Sequence, residues 1–566
     1  MRSGSPVQRA FELARRNVGF LCTAAALVYL LIHAFDPPRL NWGDSDTDYT
    51  VMTTGRNFEK YGFTTLRLTP YLLDPAYSSP GNKALIYTHY PQLPDLVNGV
   101  ERSVLRMSSL TQFRVVALGF SFAALFFVYS LVATYWSRAA AQCALALLVL
   151  NPLWIQQADY LHNTPYGFFF GGGSVWLLSR YLRDPLAKRH TLAAAGVMLF
   201  LAFMSSYDVW FLVPILLAVM TVADERGVTL RGAKILSFLA AFAVAAIAFK
   251  WTTNAWALGS VRAWLDDLRY QATERSTTNA VKAEYFGGLW SISVGRIEQY
   301  FSLLFFLITS IWAALAFRPR LLDRIRWPFA TKANPVALLG ATLLFFVVFS
   351  EIWVEQPYHL VWMVPYYAIA GGTLAALLFE SGSRVAAALG AVLVLTLGGS
   401  SIEENLSFKR AFFDQRAIAS LKSELDSVSA PGQNILVNHV FDGAYRYYFN
   451  RFTTAMIAIP PSRIRAAIAH YTDSSQEPTA TERGAIFVQH KHVADELFDK
   501  SYYFVVAPYR LWPLWANPRR YETLIDSLVT VRDAQLEKAV ASRGRKIAET
   551  DFYTLWQLPP DRSGTR

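Results

Sequence analysis

Apolar residues in this 566-residue chain gather in long unbroken runs, separated by polar segments that carry most of its arginine and lysine. Runs near Asn17–Ala34, Val115–Thr134, Ala139–Ile155, Tyr166–Tyr181, Thr191–Ser205, Tyr207–Val222, Ile235–Trp251, Tyr300–Phe317, Pro335–Ser350, Tyr358–Phe379 and Val385–Leu397 predict about eleven spanning helices. A run of about 18–20 apolar residues crosses a bilayer core as a helix, because only a helix or a closed barrel satisfies every backbone polar group in lipid. The fifth, sixth and last runs are short for a full crossing; the fifth and sixth form a pair, so losing both leaves the sidedness of the rest unchanged. The basic segment Met1–Arg16 with the long run after it, which lacks a small-residue cleavage pattern before Phe35, predicts a retained first helix.

The connections alternate in charge. One set holds Arg2, Arg9, Arg15 and Arg16, then Arg138, then Arg180, Arg183, Lys188 and Arg189, then Arg226, Arg231 and Lys234, then Arg318, Arg320, Arg324, Arg326 and Lys332. The short connections of the other set, Gln156–Pro165, the turn at Ser206 and Glu351–Pro357, hold neither lysine nor arginine. By the positive-inside rule the first set, with the N-terminus, is cytoplasmic. Three large segments then lie outside: Asp36–Arg114, Thr252–Gln299 and everything after about Ser400. The last changes character, with short β-type runs at Ile435–Asn438, Thr454–Ile459, Ala485–Val488, Tyr502–Ala507 and Tyr553–Leu558 and a helical stretch at Phe413–Val428. The expected fold is a polytopic α-helical membrane protein over 1–400, with outer loops 36–114 and 252–299, followed by a soluble extracytoplasmic α/β domain over 401–560.

Composition agrees, at 53% hydrophobic and 17% charged residues. The net charge of +11 would suggest nucleic acid for a soluble protein, but here the basic residues flank apolar runs and read as topology; no nucleic-acid partner is expected. The two cysteines, Cys22 and Cys143, lie inside expected spans and support neither a disulfide framework nor a cysteine metal site.

The densest polar signal is Asn41-Trp-Gly-Asp-Ser-Asp-Thr-Asp-Tyr49, which places Asp44, Asp46 and Asp48 just past the first span. Three carboxylates in five residues repel one another, so the cluster suits cation binding or one member with a raised pKa that accepts a proton. The plainer alternative is a solvated acidic turn that caps the helix expected over Thr50–Tyr61. Downstream stand Gly55-Arg-Asn-Phe-Glu-Lys-Tyr-Gly-Phe63 and Tyr87-Thr-His-Tyr-Pro-Gln-Leu-Pro94. An acidic cluster after the first span, an A/G-x-N-x-x-x-x-G helix and an H-x-P-x-L stretch before the second span resemble the GT-C superfamily of polyprenyl-phosphate-sugar glycosyltransferases, which includes protein O-mannosyltransferases and lipid A aminoarabinose transferases. The resemblance covers nearly the whole chain at the level of architecture, and its motifs are short.

It implies a membrane glycosyltransferase that moves a sugar from a polyprenyl-phosphate donor to a glycan, lipid or protein acceptor outside the cytoplasm, in a bacterial inner membrane. It also implies that a first-loop aspartate is the catalytic base. Counting back from Arg56-Asn57 puts that carboxylate at Asp46; the family's Asp-Glu pair is absent here, so Asp44 and Asp48 stay open for the role. A lipid phosphate is a good leaving group, so such a reaction chiefly needs a base for the acceptor hydroxyl and stabilisation of the departing phosphate. A single displacement of this kind inverts the anomeric centre.

His89 and Tyr90 are candidate substrate contacts, with His89 alternatively capping the turn before Pro91. Asp159, His162 and Asp208 are candidates because ionisable groups at membrane depth are costly and those facing a cavity tend to be functional; each aspartate could equally cap a helix at the interface. His359 is a candidate that the resemblance implies, because the run from Gln356 through Pro365 resembles the late-span region that lines the carrier pocket in this superfamily. No spacing is diagnostic of a metal, and a divalent ion held by the Asp cluster and a histidine stays open. In the loop 252–299, Arg262, Arg269, Arg275, Lys282 and Arg296 read either as a solvated amphipathic helix or as a lid whose cations meet lipid phosphate. The rival from another class is a transporter or flippase of lipid-linked sugars. No inverted repeat is visible, and a large ordered first loop is unusual for a carrier.

Overall fold

The structure is a computed structural model and describes residues 6–36, 44–77, 86–88, 90–184, 186, 189–224, 229–275, 297, 300–317, 357–381, 383–407, 415–438, 442–456, 463–473, 484–491 and 522–559. Helices α1 (Pro6–His33), α4 (Leu110–Tyr135), α5 (Arg138–Leu150), α7 (Asn163–Arg183), α8 (Arg189–Phe203), α9 (Tyr207–Asp224), α10 (Leu230–Ala257), α12 (Leu304–Phe317), α13 (Val364–Glu380) and α14 (Arg384–Ser407) form the apolar bundle. Between α1 and α4 lie α2 (Asp44–Tyr61) and α3 (Leu93–Ser103); a short α6 (Pro152–Gln157) precedes α7, and α11 (Val261–Arg275) follows α10.

Among the described residues three helices are long and apolar enough to cross a bilayer: Leu110–Tyr135, Leu230–Ala257 and His359–Glu380. Six others are apolar but shorter, Asn17–His33, Arg138–Leu150, Arg189–Phe203, Tyr207–Val222, Leu304–Leu315 and Arg384–Gly399. The count of eleven is therefore not established. At about 1.5 Å per residue a 15-residue helix such as α8 falls short of a hydrocarbon core about 30 Å thick. The expected span Pro335–Ser350 lies outside the described residues.

Packing within the bundle relies on small residues that let backbones approach. A Cβ on Gly372 of α13 would stand 2.4 Å from the backbone nitrogen of Ala144 on α5. Trp312, fully buried on α12, donates its indole N–H to the Ala370 carbonyl at 3.0 Å, and the Tyr366 hydroxyl donates to Thr309 at 2.8 Å. Other faces are bare apolar surface: Val385, Leu389, Val392 and Leu395 form an exposed stripe on α14, and Leu21, Val28 and Ile32 another on α1. Exposed stripes on apolar helices are what a lipid solvent accepts.

The C-terminal part builds one five-stranded sheet in the order β2-β1-β3-β5-β4. Strands β1 (Asn434–Val437), β2 (Phe452–Ala455) and β3 (Ile486–His490) are parallel, while β5 (Tyr553–Gln557) runs antiparallel to both β3 and β4 (Arg545–Glu549). Alternation along the strands fills both faces. Ile435, Val437, Ile486, Val488 and Leu555 pack with α15 (Gln415–Val428) and α16 (Asp442–Phe449), and Leu436, Phe487 and Trp556 with α17 (Ile464–Asp473) and α18 (Glu522–Ala541). Strand β4 was not expected; it is an edge strand of sequence Arg-Lys-Ile-Ala-Glu, exposed or half-buried throughout, so it lacks an apolar run. The expected strand Tyr502–Ala507 lies outside the described residues.

This sheet is braced on the first loop. Tyr49 of α2 joins its hydrophobic core, with ring centroids 5.7 and 5.4 Å from Tyr447 and Tyr448 of α16. Arg56 of α2 donates to the Tyr447 carbonyl at 3.0 Å and lies over the Tyr447 ring at 5.0 Å.

Gly372→Leu should lower the melting temperature of detergent-purified protein, because overpacking a closed contact costs about 1–3 kcal/mol. Gly399→Leu, where a Cβ would meet nothing within 4 Å, should leave it unchanged or raise it; equal destabilisation by the two would contradict the packing described.

Candidate active site

The face of the bundle that carries the loops gathers its polar groups around one turn. The turn that carries Thr88 and Tyr90, between α2 and α3, is anchored on the end of α10: the Lys250 amino group donates to the carbonyls of Thr88 at 3.0 Å and Tyr90 at 2.7 Å. One helical turn on, Thr253 accepts from the Gln92 amide at 2.9 Å, and at the second turn Arg67 donates to the Trp256 carbonyl. Lys250 is 2% exposed, with its amino group 5.4 Å from the centre of the Tyr207 ring. A lysine in an apolar helix needs acceptors, and a buried irregular turn needs donors for its carbonyls. Each answers the other.

The turn so held presents Tyr90 to three other elements. Its hydroxyl shares a hydrogen bond of 3.4 Å with His359 Nε2, and its ring meets the His162 ring edge-on at 5.0 Å. His359 Nδ1 lies 3.3 Å from Asp208 Oδ1, both side chains being 2% exposed. Asp208 accepts through its other oxygen from Ser206 at 2.7 Å, and Ser206 is reached by the Asn163 amide at 3.4 Å. Carboxylate, imidazole and phenol therefore stand in line, the order in which an Asp orients a His toward a reacting group. Burial lowers the pKa of His162 to about 4, helped by nearby His359 and opposed by its contact with Asn163, so its ring is neutral at physiological pH.

The acidic helix joins at the same place. Asp48, 6% exposed, accepts the backbone N–H of Leu161 at 2.9 Å, one residue before His162 and two after the fully buried Asp159. Asp44 and Asp46 belong to the first turn of α2, and their side chains lie outside the described part of the structure, as does His89. Of the candidate residues, then, Tyr90, His162, Asp208 and His359 come together in one cluster, and Asp48 ties α2 to its edge. Among the described residues no group of three or more His, Cys, Asp or Glu side chains could hold a metal ion.

Two features escaped the sequence reading. Lys250 sat inside the expected span Ile235–Trp251, where a lysine near the end of an apolar run reads as one that reaches out to water. Helix α3 is inverted: it buries Asp95, Asn98, Glu101 and Arg102 against α2 and leaves Val100, Val104 and Leu105 exposed. Thr54 donates to Asp95 at 2.5 Å, Arg102 to Asn98 at 3.1 Å and Asn98 to Glu101 at 3.0 Å. Burial pushes the pKa of Asp95 up to about 7, against the Thr54 bond and the nearby Lys250 amino group. It pushes Glu101 up to about 7 as well, against Asn98 and Arg102.

No family model and no curated protein sequence matches the chain. Solved structures do. The oligosaccharyltransferase of Archaeoglobus fulgidus in its apo form aligns over 90% of this chain and 72% of its own, at 15% identity and a TM-score of 0.54. The arabinofuranosyltransferase AftD from Mycobacteria aligns at 12% identity and a TM-score of 0.50; 96% of this chain covers 40% of that one. ArnT from Cupriavidus metallidurans, bound to undecaprenyl phosphate, aligns over 95% of this chain and 97% of its own at 14% identity and a TM-score of 0.47. At such identities the likeness is one of fold.

The buried carboxyls of α3 make stability depend on pH with a definite sign. Free carboxyls titrate near pH 4, so between about pH 4 and 7 the folded chain holds protons that the unfolded chain releases. Their contribution is full below that window and lost as pH rises through it, at up to about 1.4 kcal/mol per pH unit for each group. The fall in melting temperature between pH 5 and 7.5 should be smaller in Asp95→Asn with Glu101→Gln than in the native protein; an unchanged fall would contradict the burial argument.

Proposed function

We propose that this chain, which has the GT-C glycosyltransferase fold, is an integral membrane enzyme that transfers a sugar from a polyprenyl-phosphate donor to a glycan, lipid or protein acceptor. The observation that carries this reading is the convergence of Tyr90, His162, Asp208 and His359 from four separate segments of the chain, with Asp48 fastening the acidic helix beside them. The charge alternation of the connections supports an extracytoplasmic site, with the N-terminus cytoplasmic and the C-terminal sheet outside; the bacterial inner membrane is what the resemblance to GT-C enzymes implies.

Asp46 is the general base, with Asp44 the alternative. Asp48 is the anchor, since one of its oxygens already accepts the Leu161 N–H. The base takes the proton of the acceptor hydroxyl as that oxygen bonds to the anomeric carbon. The bond from that carbon to the phosphate oxygen breaks, and polyprenyl phosphate leaves with the electron pair. Tyr90 donates its O–H to the departing phosphate, and His359, which faces Asp208 through Nδ1, positions the phenol through Nε2. One displacement without a glycosyl-enzyme inverts the anomeric centre.

Purified protein offered a set of polyprenyl-phosphate sugars should release polyprenyl phosphate. Asp46→Asn should lose about 10²-fold or more in kcat, the scale of a general base, while Asp208→Asn should lose less. Native protein that turns over no donor with any acceptor class, yet moves the lipid between leaflets, would sink the enzyme in favour of a transporter. An active Asp46→Asn beside a dead Asp44→Asn would move the base by half a helical turn.

A further inference from the structure

Helix α11 has two unlike edges. Val261, Trp264, Leu265 and Leu268 recur at i, i+3, i+4 and i+7 and so form one stripe. Val261 is 62% exposed, Leu265 50% and Leu268 37%, a large apolar surface that no other described residue covers. The stripe continues the outer surface of α10: the rings of Trp264 and Trp251 lie 5.1 Å apart, and Trp251 and Trp256 of α10 are themselves 41% and 52% exposed. Arg262 and Arg269, both exposed, flank the stripe. On the remaining edge Asp267 accepts a hydrogen bond of 2.8 Å from the Thr88 hydroxyl, on the turn whose carbonyls Lys250 holds.

We infer that α11 lies on the bilayer that contains α10, its Val261–Trp264–Leu265–Leu268 stripe in the acyl boundary and Arg262 and Arg269 at the headgroup phosphates, and that this seat steadies the Tyr90 turn through Asp267 and Thr88. The occupant is lipid because the stripe is continuous with the surface of a helix apolar enough to cross the membrane, and tryptophans mark their junction. Arginines beside an apolar stripe suit phosphates at the depth where such a helix lies, since their stems cover apolar surface while the forks reach the headgroups. The bilayer is then part of what shapes the site, a consequence that rests on the function proposed above, whereas the seat itself does not.

The test needs no turnover. Single-cysteine variants Leu265→Cys and Asp266→Cys, made with Cys22→Ser and Cys143→Ala and labelled with a fluorophore, are placed in vesicles of phosphatidylcholine and phosphatidylglycerol with brominated acyl chains. The label at 265 should be quenched by the brominated lipid and shielded from aqueous iodide, and that at 266 the reverse. Amide exchange over 88–92 should rise at least severalfold in Leu265→Glu with Leu268→Glu. Asp267→Ala should raise the same exchange while the label at 265 stays quenched. Equal iodide access at 265 and 266 would overturn the inference, as would a label at 265 shielded from both quenchers, which would put a second copy of the chain over the stripe. Quenching as expected with unchanged exchange would overturn the link to the Tyr90 turn.

Discussion

The amino group of Lys250 is the hinge pin of the loop face. It sits near the end of an apolar helix where few acceptors exist, and it finds two in carbonyls of a turn that has no regular secondary structure to supply donors. Neither partner is stable there alone: an unanswered amino group in an apolar helix and unanswered carbonyls in a buried turn each carry a desolvation cost. Together they fix where the chain passes between α2 and α3. Gln92 and Thr69 on Thr253, and Arg67 on Trp256, repeat the tie along the next two turns of α10.

From that pin the polar groups follow in sequence. Tyr90 meets His359 and His162, His359 meets Asp208, and the backbone beside His162 is gripped by Asp48. The acidic helix is then held from two further sides. Helix α3 packs its polar face on α2, close enough that a Cβ on Gly55 would overlap the Asn98 side chain, and α16 of the C-terminal sheet packs aromatic rings around Tyr49. Asp48, Asp95 and Glu101 of this loop are buried and hydrogen-bonded instead of left in water, which suits a site that must hold reacting groups in place.

The legible parts of this architecture were those in which one residue property has one meaning. Long apolar runs mean membrane-type helices, Asp208 and His162 were conspicuous as ionisable groups at helix starts within an apolar chain, and His359 stood in a run that resembles a late-span region of the superfamily. What escaped was residues whose property has two meanings. Lys250 reads as a lysine reaching for water, and only the fold shows it turned toward carbonyls. The charges of α3 read as a solvated face, although they are the buried one. Apolar length does not by itself establish the number of crossings: an apolar run measures how much surface avoids water, and a short helix surrounded by others avoids it as well as a spanning one. Strand β4 had no apolar run to read, because an edge strand buries little.

If the Tyr90 turn, His359 and Asp208 work as one unit pinned by Lys250, then breaking the pin and breaking the far end of the relay damage the same thing. A double-mutant cycle on donor turnover with Lys250→Met and Asp208→Asn tests this most directly, since coupled sites depart from additivity. The double variant should be no slower than the worse single variant by more than about twofold. Losses that multiply would show that Lys250 and the His359–Asp208 pair act independently, and would contradict the account.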